Sequence, residues 1–155
     1  MRKILSPIVF ACLAAFAAPA LAQSVEAVND QLALQFGDDG RMERAIIDFQ
    51  QAVRDGDVET VAALVSYPIT INIDGVDREF ADAEAFAADY NDIMTPDIAE
   101  VVAGQDYGAL FVNSQGAMFG QGEVWITAFC EDESCNSWEP KVVTIQHTAN
   151  RKPRQ

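Results

Sequence analysis

The period of the hydrophobic pattern changes at Pro68, and no other feature of the sequence constrains the fold as strongly. Before this position, residues 41–54 place their apolar side chains on one helical face, which comprises Met42, Ala45, Ile46, Phe49 and Val53. After it, Ile69, Ile71 and Ile73 alternate with polar residues, as in a half-buried strand. Helices therefore precede a strand-rich half. This order predicts an α+β fold in which helices pack on an antiparallel sheet.

Two dipeptides with strong local preferences set the bounds of elements near this change. Asp57 is placed to cap a short helix, which should end before Tyr67-Pro68 because the residue before a proline disfavours the helical region. Asp74-Gly75 tolerates the positive φ angles of a two-residue turn. Residues 76–80 are therefore predicted to pair antiparallel with the strand before them.

The remaining elements are two helices followed by four strands. Asp82 is predicted to cap one continuous helix over 83–93, and Thr95-Pro96 to begin another that Gly104 ends. Glycine, asparagine and serine turns then separate the four predicted strands, at 109–113, 116–120, 123–130 and 141–148.

The first 22 residues have the organisation of a secretory signal peptide. A basic start precedes an apolar run over residues 8–18, and Ala20 and Ala22 supply small side chains before a cleavage site at Gln23. The run is too short for a membrane anchor, since a spanning helix needs about 20 residues. Lipidation at Cys12 is disfavoured by the bulky Phe10 before it. We therefore expect an exported domain, periplasmic or extracellular after cleavage.

Cleavage would leave one domain with a large negative charge. We divide it into an N-terminal segment at 23–40, a folded domain at 41–150 and a basic tail at 151–155. Its 24 acidic and 8 basic residues give a net charge of −16, which disfavours binding to nucleic acid. The charge either keeps the domain soluble or attracts a basic envelope protein.

Two cysteines, Cys130 and Cys135, remain after cleavage. An even pair in an exported chain predicts a disulfide. A redox pair would use tighter spacing, and a cysteine nucleophile would need His147 as its base.

Three segments resemble exported members of the nuclear transport factor 2-like superfamily, which includes ketosteroid isomerases, polyketide cyclases and scytalone dehydratases. They are FQQAVRDGDVETVAALVSYPITIN at 49–72, FADAEAFAADYNDIMTPDI at 80–98 and LFVNSQGAMFGQGEVWI at 110–126. The resemblance implies a curved antiparallel sheet around a long helix, forming a cone. The mouth of such a cone can be an active site, a ligand pocket or a filled core.

Four residues are candidates for binding a ligand at the cone mouth: Trp125, Glu123, Tyr90 and His147. By alternation Glu123 and Trp125 share one strand face, where a carboxylate beside an indole would line a pocket. The alternative places Trp125 in the core and leaves Glu123 solvated. Tyr90 falls at core spacing on its helix. His147 is either a rim residue or an acid/base group.

No motif specifies a reaction. One histidine is too few for a usual zinc site, and the glycines of GQGE at 120–123 do not continue into a dinucleotide fingerprint, so we predict neither a metal nor a cofactor. We favour a non-catalytic domain that binds an apolar small molecule or a protein partner. The alternative is a cofactor-free lyase or isomerase of the polyketide cyclase and ketosteroid isomerase type.

Overall fold

A computed structural model describes residues 24–37, 40–130, 132, 134, 135 and 137–147. The predicted signal peptide at 1–22 and the basic tail at 151–155 lie outside these residues, so both stay predictions.

The chain forms six α-helices and six strands within these residues. The helices are α1 (Val25–Phe36), α2 (Arg41–Asp55), α3 (Val58–Ala63), α4 (Ala83–Ala88), α5 (Tyr90–Ile93) and α6 (Pro96–Gly104). The strands are β1 (Ile69–Ile73), β2 (Val76–Phe80), β3 (Phe111–Asn113), β4 (Gly116–Phe119), β5 (Val124–Cys130) and β6 (Trp138–Ile145). This composition confirms the α+β prediction.

The predicted local signals explain where α2, α3 and the first hairpin begin and end. Gly56 adopts a left-handed conformation after α2, and the Asp57 side chain accepts a 3.1 Å hydrogen bond from the Thr60 N–H to cap α3. Asp74 and Gly75 both have positive φ, so β1 and β2 pair directly across them.

The strands form two antiparallel sheets. β1 and β2 make a separate two-stranded sheet, whereas β3, β4, β5 and β6 follow one another in a four-stranded meander. A register shift between Trp125 and Ile126 interrupts the β5–β6 ladder. An isolated bridge from Val65 to Val142 ties the end of α3 to the meander.

Three predicted bounds are wrong. The single helix over 83–93 breaks at Asp89, whose carboxylate forms an ion pair with Arg78 of β2. β3 begins only at Phe111, since residues 107–109 form a 3-10 turn capped by Asp106. β6 begins at Trp138 rather than at 141, because Trp138 pairs with the end of β5.

The core lies between α2 and one face of the meander. Phe49 of α2 and Phe119 of β4 are both fully buried, with ring centroids 5.7 Å apart. The meander adds buried side chains from β4, β5 and β6: Ala117, Val124, Ile126, Val142 and Ile145. A second aromatic group surrounds Phe86 of α4, whose ring meets Tyr67, Phe80 and Tyr90 edge-on. The rings of Phe49 and Phe119 thus lie between α2 and the meander.

The predicted disulfide is present between Cys130 and Cys135. It closes the turn between β5 and β6 across a sequence separation of 5 residues. In the part of the chain that the structure describes, no helix has the length and apolarity needed to cross a bilayer.

Candidate functional site

Trp125 lies on the open face of the meander, opposite the core. Because Val124 and Ile126 on either side of it are buried in the core, alternation along β5 turns Trp125 the other way. The interpretation that Trp125 is a core residue is therefore wrong. Trp125 is half-buried.

A row of three large apolar side chains crosses this open face. Phe111 of β3 is opposite Met118 of β4, and Met118 is opposite Trp125 of β5. The rings of Phe111 and Trp125 meet nearly perpendicular, with centroids 6.5 Å apart. Phe111 is 47% exposed. We call Phe111, Met118 and Trp125 the aromatic row.

Further along the open face, β5 presents Thr127 and Phe129. Phe129 is 45% exposed and lies opposite Glu139 of β6. The open face thus carries two exposed phenylalanines and a half-buried tryptophan. Exposed aromatic groups of this kind are typical of surfaces that bind other proteins.

Glu123 lies in the turn before β5 and is only 8% exposed. Its Oε2 accepts a 2.6 Å hydrogen bond from the Gln121 N–H. An added Cβ at Gly120 would lie 2.2 Å from this oxygen and 2.5 Å from Val101 of α6, so the carboxylate occupies the α6 side of the turn. The interpretation of Glu123 as a solvated residue is wrong.

Glu123 and Trp125 do not share a pocket. The indole nitrogen of Trp125 and the sulfur of Met118 lie near Gly122 instead. A Cβ added at Gly122 would be 3.6 Å from that nitrogen and 3.9 Å from that sulfur. The register of the turn therefore separates the carboxylate from the indole. Glu123 shapes the β4–β5 turn, whereas Trp125 belongs to the aromatic row.

Tyr90 begins α5 and packs edge-on against Phe86, with ring centroids 6.2 Å apart. Partial burial raises the pKa of its hydroxyl, and the negative charge of Asp57 adds to this shift. The core spacing read from the sequence agrees with this contact. Tyr90 thus contributes to the packing between α3, α4 and α5.

His147 lies beside a cleft between the first hairpin and α5. Its Nε2 is 3.1 Å from the carbonyl oxygen of Ile93, so this nitrogen donates a hydrogen bond. The cleft has a volume of about 460 Å³ and a mostly polar lining, formed by Ile73, Asp74, Val76, Arg78, Asn91, Asp92, Thr95 and His147. His147 is thus a rim residue with carboxylates nearby.

The charges of this cleft are already partly paired. The Arg78 guanidinium forms an ion pair with Asp89 and lies 3.7 Å from Asp92. It also lies 5.3 Å from the ring centroid of Phe80. Arg78 therefore holds α5 against β2 and is not free to serve as an isolated anion site.

The structure does not bring the four sequence candidates together. Trp125 lies on the open face, Glu123 in a turn, Tyr90 beside Phe86 and His147 in the cleft. Sequence reasoning missed Phe111 and Met118. Strand pairing across the turn at 114–115 was the signal that could have found them, since it sets Phe111 opposite Met118.

Among the described residues, no three His, Cys, Asp or Glu side chains come together so as to hold a metal ion. No protein-family model, curated protein or solved structure significantly matches the chain.

Proposed function

We propose that this chain is an exported, non-catalytic binding domain that recognises a protein partner through the aromatic row. The observation that carries the proposal is the row itself, a line of Phe111, Met118 and Trp125 across three strands in which Phe111 is 47% exposed. Aromatic side chains contribute a large share of binding energy at protein interfaces, because each covers much area at a low entropic cost.

The buried contact between Phe49 and Phe119 favours a protein partner over an apolar small molecule. A ligand enclosed between α2 and the meander would have to displace Phe49 and Phe119, which are fully buried against each other. The open face offers exposed aromatic side chains on a sheet surface instead. Protein interfaces are enriched in such side chains, whereas small molecules bind in concave sites.

We assign the domain to the nuclear transport factor 2-like superfamily as part of this proposal. Support comes from the element order, in which a long helix and a hairpin precede short helices and a four-stranded meander. The packing of α2 on one face of the meander agrees with that assignment. The assignment further implies that the sheet is curved and forms a cone.

The charge favours a basic partner, such as a basic protein of the cell envelope. Between Asp55 and Glu139, the only basic residue in the sequence is Arg78. Long-range attraction raises association rates by about 10- to 1,000-fold at low ionic strength. Salt should therefore slow association more than it accelerates release.

The proposal is tested by capture from envelope extract followed by kinetics with each purified hit. We expect Phe111→Ala and Trp125→Leu to weaken saturable binding at least about tenfold, as for residues central to an interface. Ile47→Ala is the matched control, because Ile47 on α2 is also 47% exposed. Equal losses in the control, or binding unaffected by both row variants, would reject the aromatic row as the interface.

Tryptophan fluorescence tests the small-molecule alternative. Emission from Trp138 would overlap that of Trp125, so the measurement uses a Trp138→Phe background. The Arg41 guanidinium lies 3.8 Å from the centroid of the Trp138 ring, and phenylalanine keeps an aromatic ring at this contact. We expect hydrophobic dyes and steroid-like compounds to give no saturable change at Trp125. Saturable quenching that Trp125→Leu abolishes would favour an apolar small ligand instead.

The cleft beside His147 supports a second candidate function, the cofactor-free lyase or isomerase. A histidine within a cleft that also contains Asp74 and Asp92 supplies residue types used in proton transfer. This candidate predicts that His147→Gln abolishes turnover of an enolisable ketone or cyclic ketosteroid without changing the fold. Absence of any His147-dependent turnover leaves the binding domain as the function.

A further inference from the structure

The short helices α3 and α4 enclose an apolar groove on the side of the molecule that carries Asp57 and Asp82. The groove has a volume of about 510 Å³. Its apolar lining consists of Val58, Ala62, Ala63, Ala83 and Ala87. Four of these five side chains are single methyl groups, so the two helices leave room between them for larger side chains from outside.

The two helices run antiparallel, because the pairing of Ile69 with Phe80 brings the chain after α3 beside the start of α4. Asp57 caps the start of α3 and acts electrostatically on Tyr90, just beyond the end of α4. Asp82 caps the start of α4 and acts on Tyr67, beyond the end of α3. Each end of the groove is therefore the start of one helix and the end of the other.

Antiparallel packing places acidic residues at both ends of the groove. Glu59 follows Asp57 in the first turn of α3, and Glu84 follows Asp82 in the first turn of α4. Glu59 and Glu84 both belong to the lining and are both exposed. The groove thus has an apolar centre between two acidic ends.

The nearby basic groups do not neutralise these ends. The Arg78 guanidinium is paired with Asp89 and Asp92. The Lys141 Nζ lies 3.2 Å from the Ala63 carbonyl oxygen and 3.3 Å from Glu139. Glu59 and Glu84 therefore face solvent with their charges available to a partner.

We propose that this groove binds a cationic amphipathic helix of a partner protein. Its apolar ridge would fill the space between the alanines, and a lysine or arginine at each end would meet Glu59 and Glu84. Glu59 and Glu84 are each the second residue of a six-residue helix, so in the antiparallel pair they lie about three residues, or about 4.5 Å, apart along the helix axes. The two basic residues should therefore lie three or four positions apart, one turn along one face of the bound helix.

This site goes beyond the proposed function, because the groove and the aromatic row lie on different elements. A partner that uses the row need not use the groove. Variants confined to α3 and α4 therefore test the groove by itself, and the aromatic row remains intact in all of them.

The test uses a labelled synthetic peptide of about 16 residues, with leucines on one face and two lysines four positions apart. A peptide with glutamates in place of the lysines, and a scrambled peptide of the same composition, serve as controls. Fluorescence anisotropy at low salt measures binding to the full chain. We expect saturable binding of the lysine peptide alone.

The protein variant is Glu59→Gln combined with Glu84→Gln, which removes two charges and retains side-chain size. We expect the Kd for the lysine peptide to rise about fivefold, since two solvent-exposed ion pairs each contribute modestly. The matched control, Asp97→Asn with Glu100→Gln, removes two exposed charges from α6 and should change the Kd less than twofold. Thermal unfolding establishes that both variants are folded.

Amide chemical shifts locate the bound peptide. We expect changes concentrated in residues 58–63 and 83–88. The proposal is overturned by an absence of saturable binding, by equal losses in the two double variants, or by shifts that map to the meander. The last result would direct the peptide to the aromatic row and thereby support the proposed function while rejecting the groove.

Discussion

Two phenylalanines on neighbouring strands test which face of the meander is the core and which is open. Phe119 of β4 is fully buried against Phe49, whereas Phe111 of β3 is 47% exposed beside Trp125. Both are replaced by alanine, so the same atoms are removed from each face. Only their surroundings differ.

The expected costs follow from these surroundings. Phe119→Ala should lower the free energy of unfolding by about 3–5 kcal/mol, as for a fully buried phenylalanine. Phe111→Ala loses the ring contact with Trp125, which contributes about 0.5–1.5 kcal/mol. It also loses roughly half of the free energy of burying a phenylalanine side chain, about 1 kcal/mol. The total is about 2 kcal/mol. The two variants should therefore differ by about 2 kcal/mol.

Urea denaturation followed by far-ultraviolet circular dichroism measures both costs without relying on tryptophan emission. The two variants should rank in the opposite order for partner binding, because Phe111→Ala should weaken it at least about tenfold and folded Phe119→Ala should retain it. Equal costs for the two variants would show that the open face is covered in the native protein. A cost above about 3 kcal/mol for Phe111→Ala would lead to the same conclusion.

Three further predictions address the chain's processing, backbone and titration. Exported material should begin at Gln23 in N-terminal sequencing and show no free thiol; a start at Met1 would contradict export with cleavage. Gly116 has φ +139 and an added Cβ would lie 2.3 Å from the Ile126 carbonyl oxygen, so Gly116→Ala should cost at least about 2 kcal/mol in urea denaturation, more than Gly75→Ala, whose Cβ would meet nothing within 4 Å. Burial raises the pKa of Tyr67 to about 12, with the charge of Asp82 as a second cause, while an unfolded tyrosine titrates near 10. The neutral hydroxyl therefore stabilises the fold below about pH 10, and this contribution should be lost as the pH rises from about 10 to about 12. Tyr67→Phe should remove this pH dependence. In absorbance titrations of native protein, the variant should have one fewer tyrosine that ionises near pH 12 than the unaltered protein has.

The sequence determined most of the local structure, because local structure depends on nearby residues. The apolar spacing of α2, the Asp57 and Asp82 caps and the Asp74-Gly75 hairpin all occur as predicted. The disulfide also followed from the cysteine pair alone. By contrast, the predicted continuous helix over 83–93 breaks at Asp89, whose carboxylate forms an ion pair with Arg78 from a different element.

Tertiary structure alone decided where the candidate site lies. Alternation predicts that Trp125 and Glu123 share one strand face, but Glu123 lies in the turn before β5 and its carboxylate lies near Val101. Nothing local reveals that α2 covers the Phe119 side of the meander and leaves the Phe111 side open. A strand pattern states which residues share a face, but the packing of a distant helix determines which face is buried.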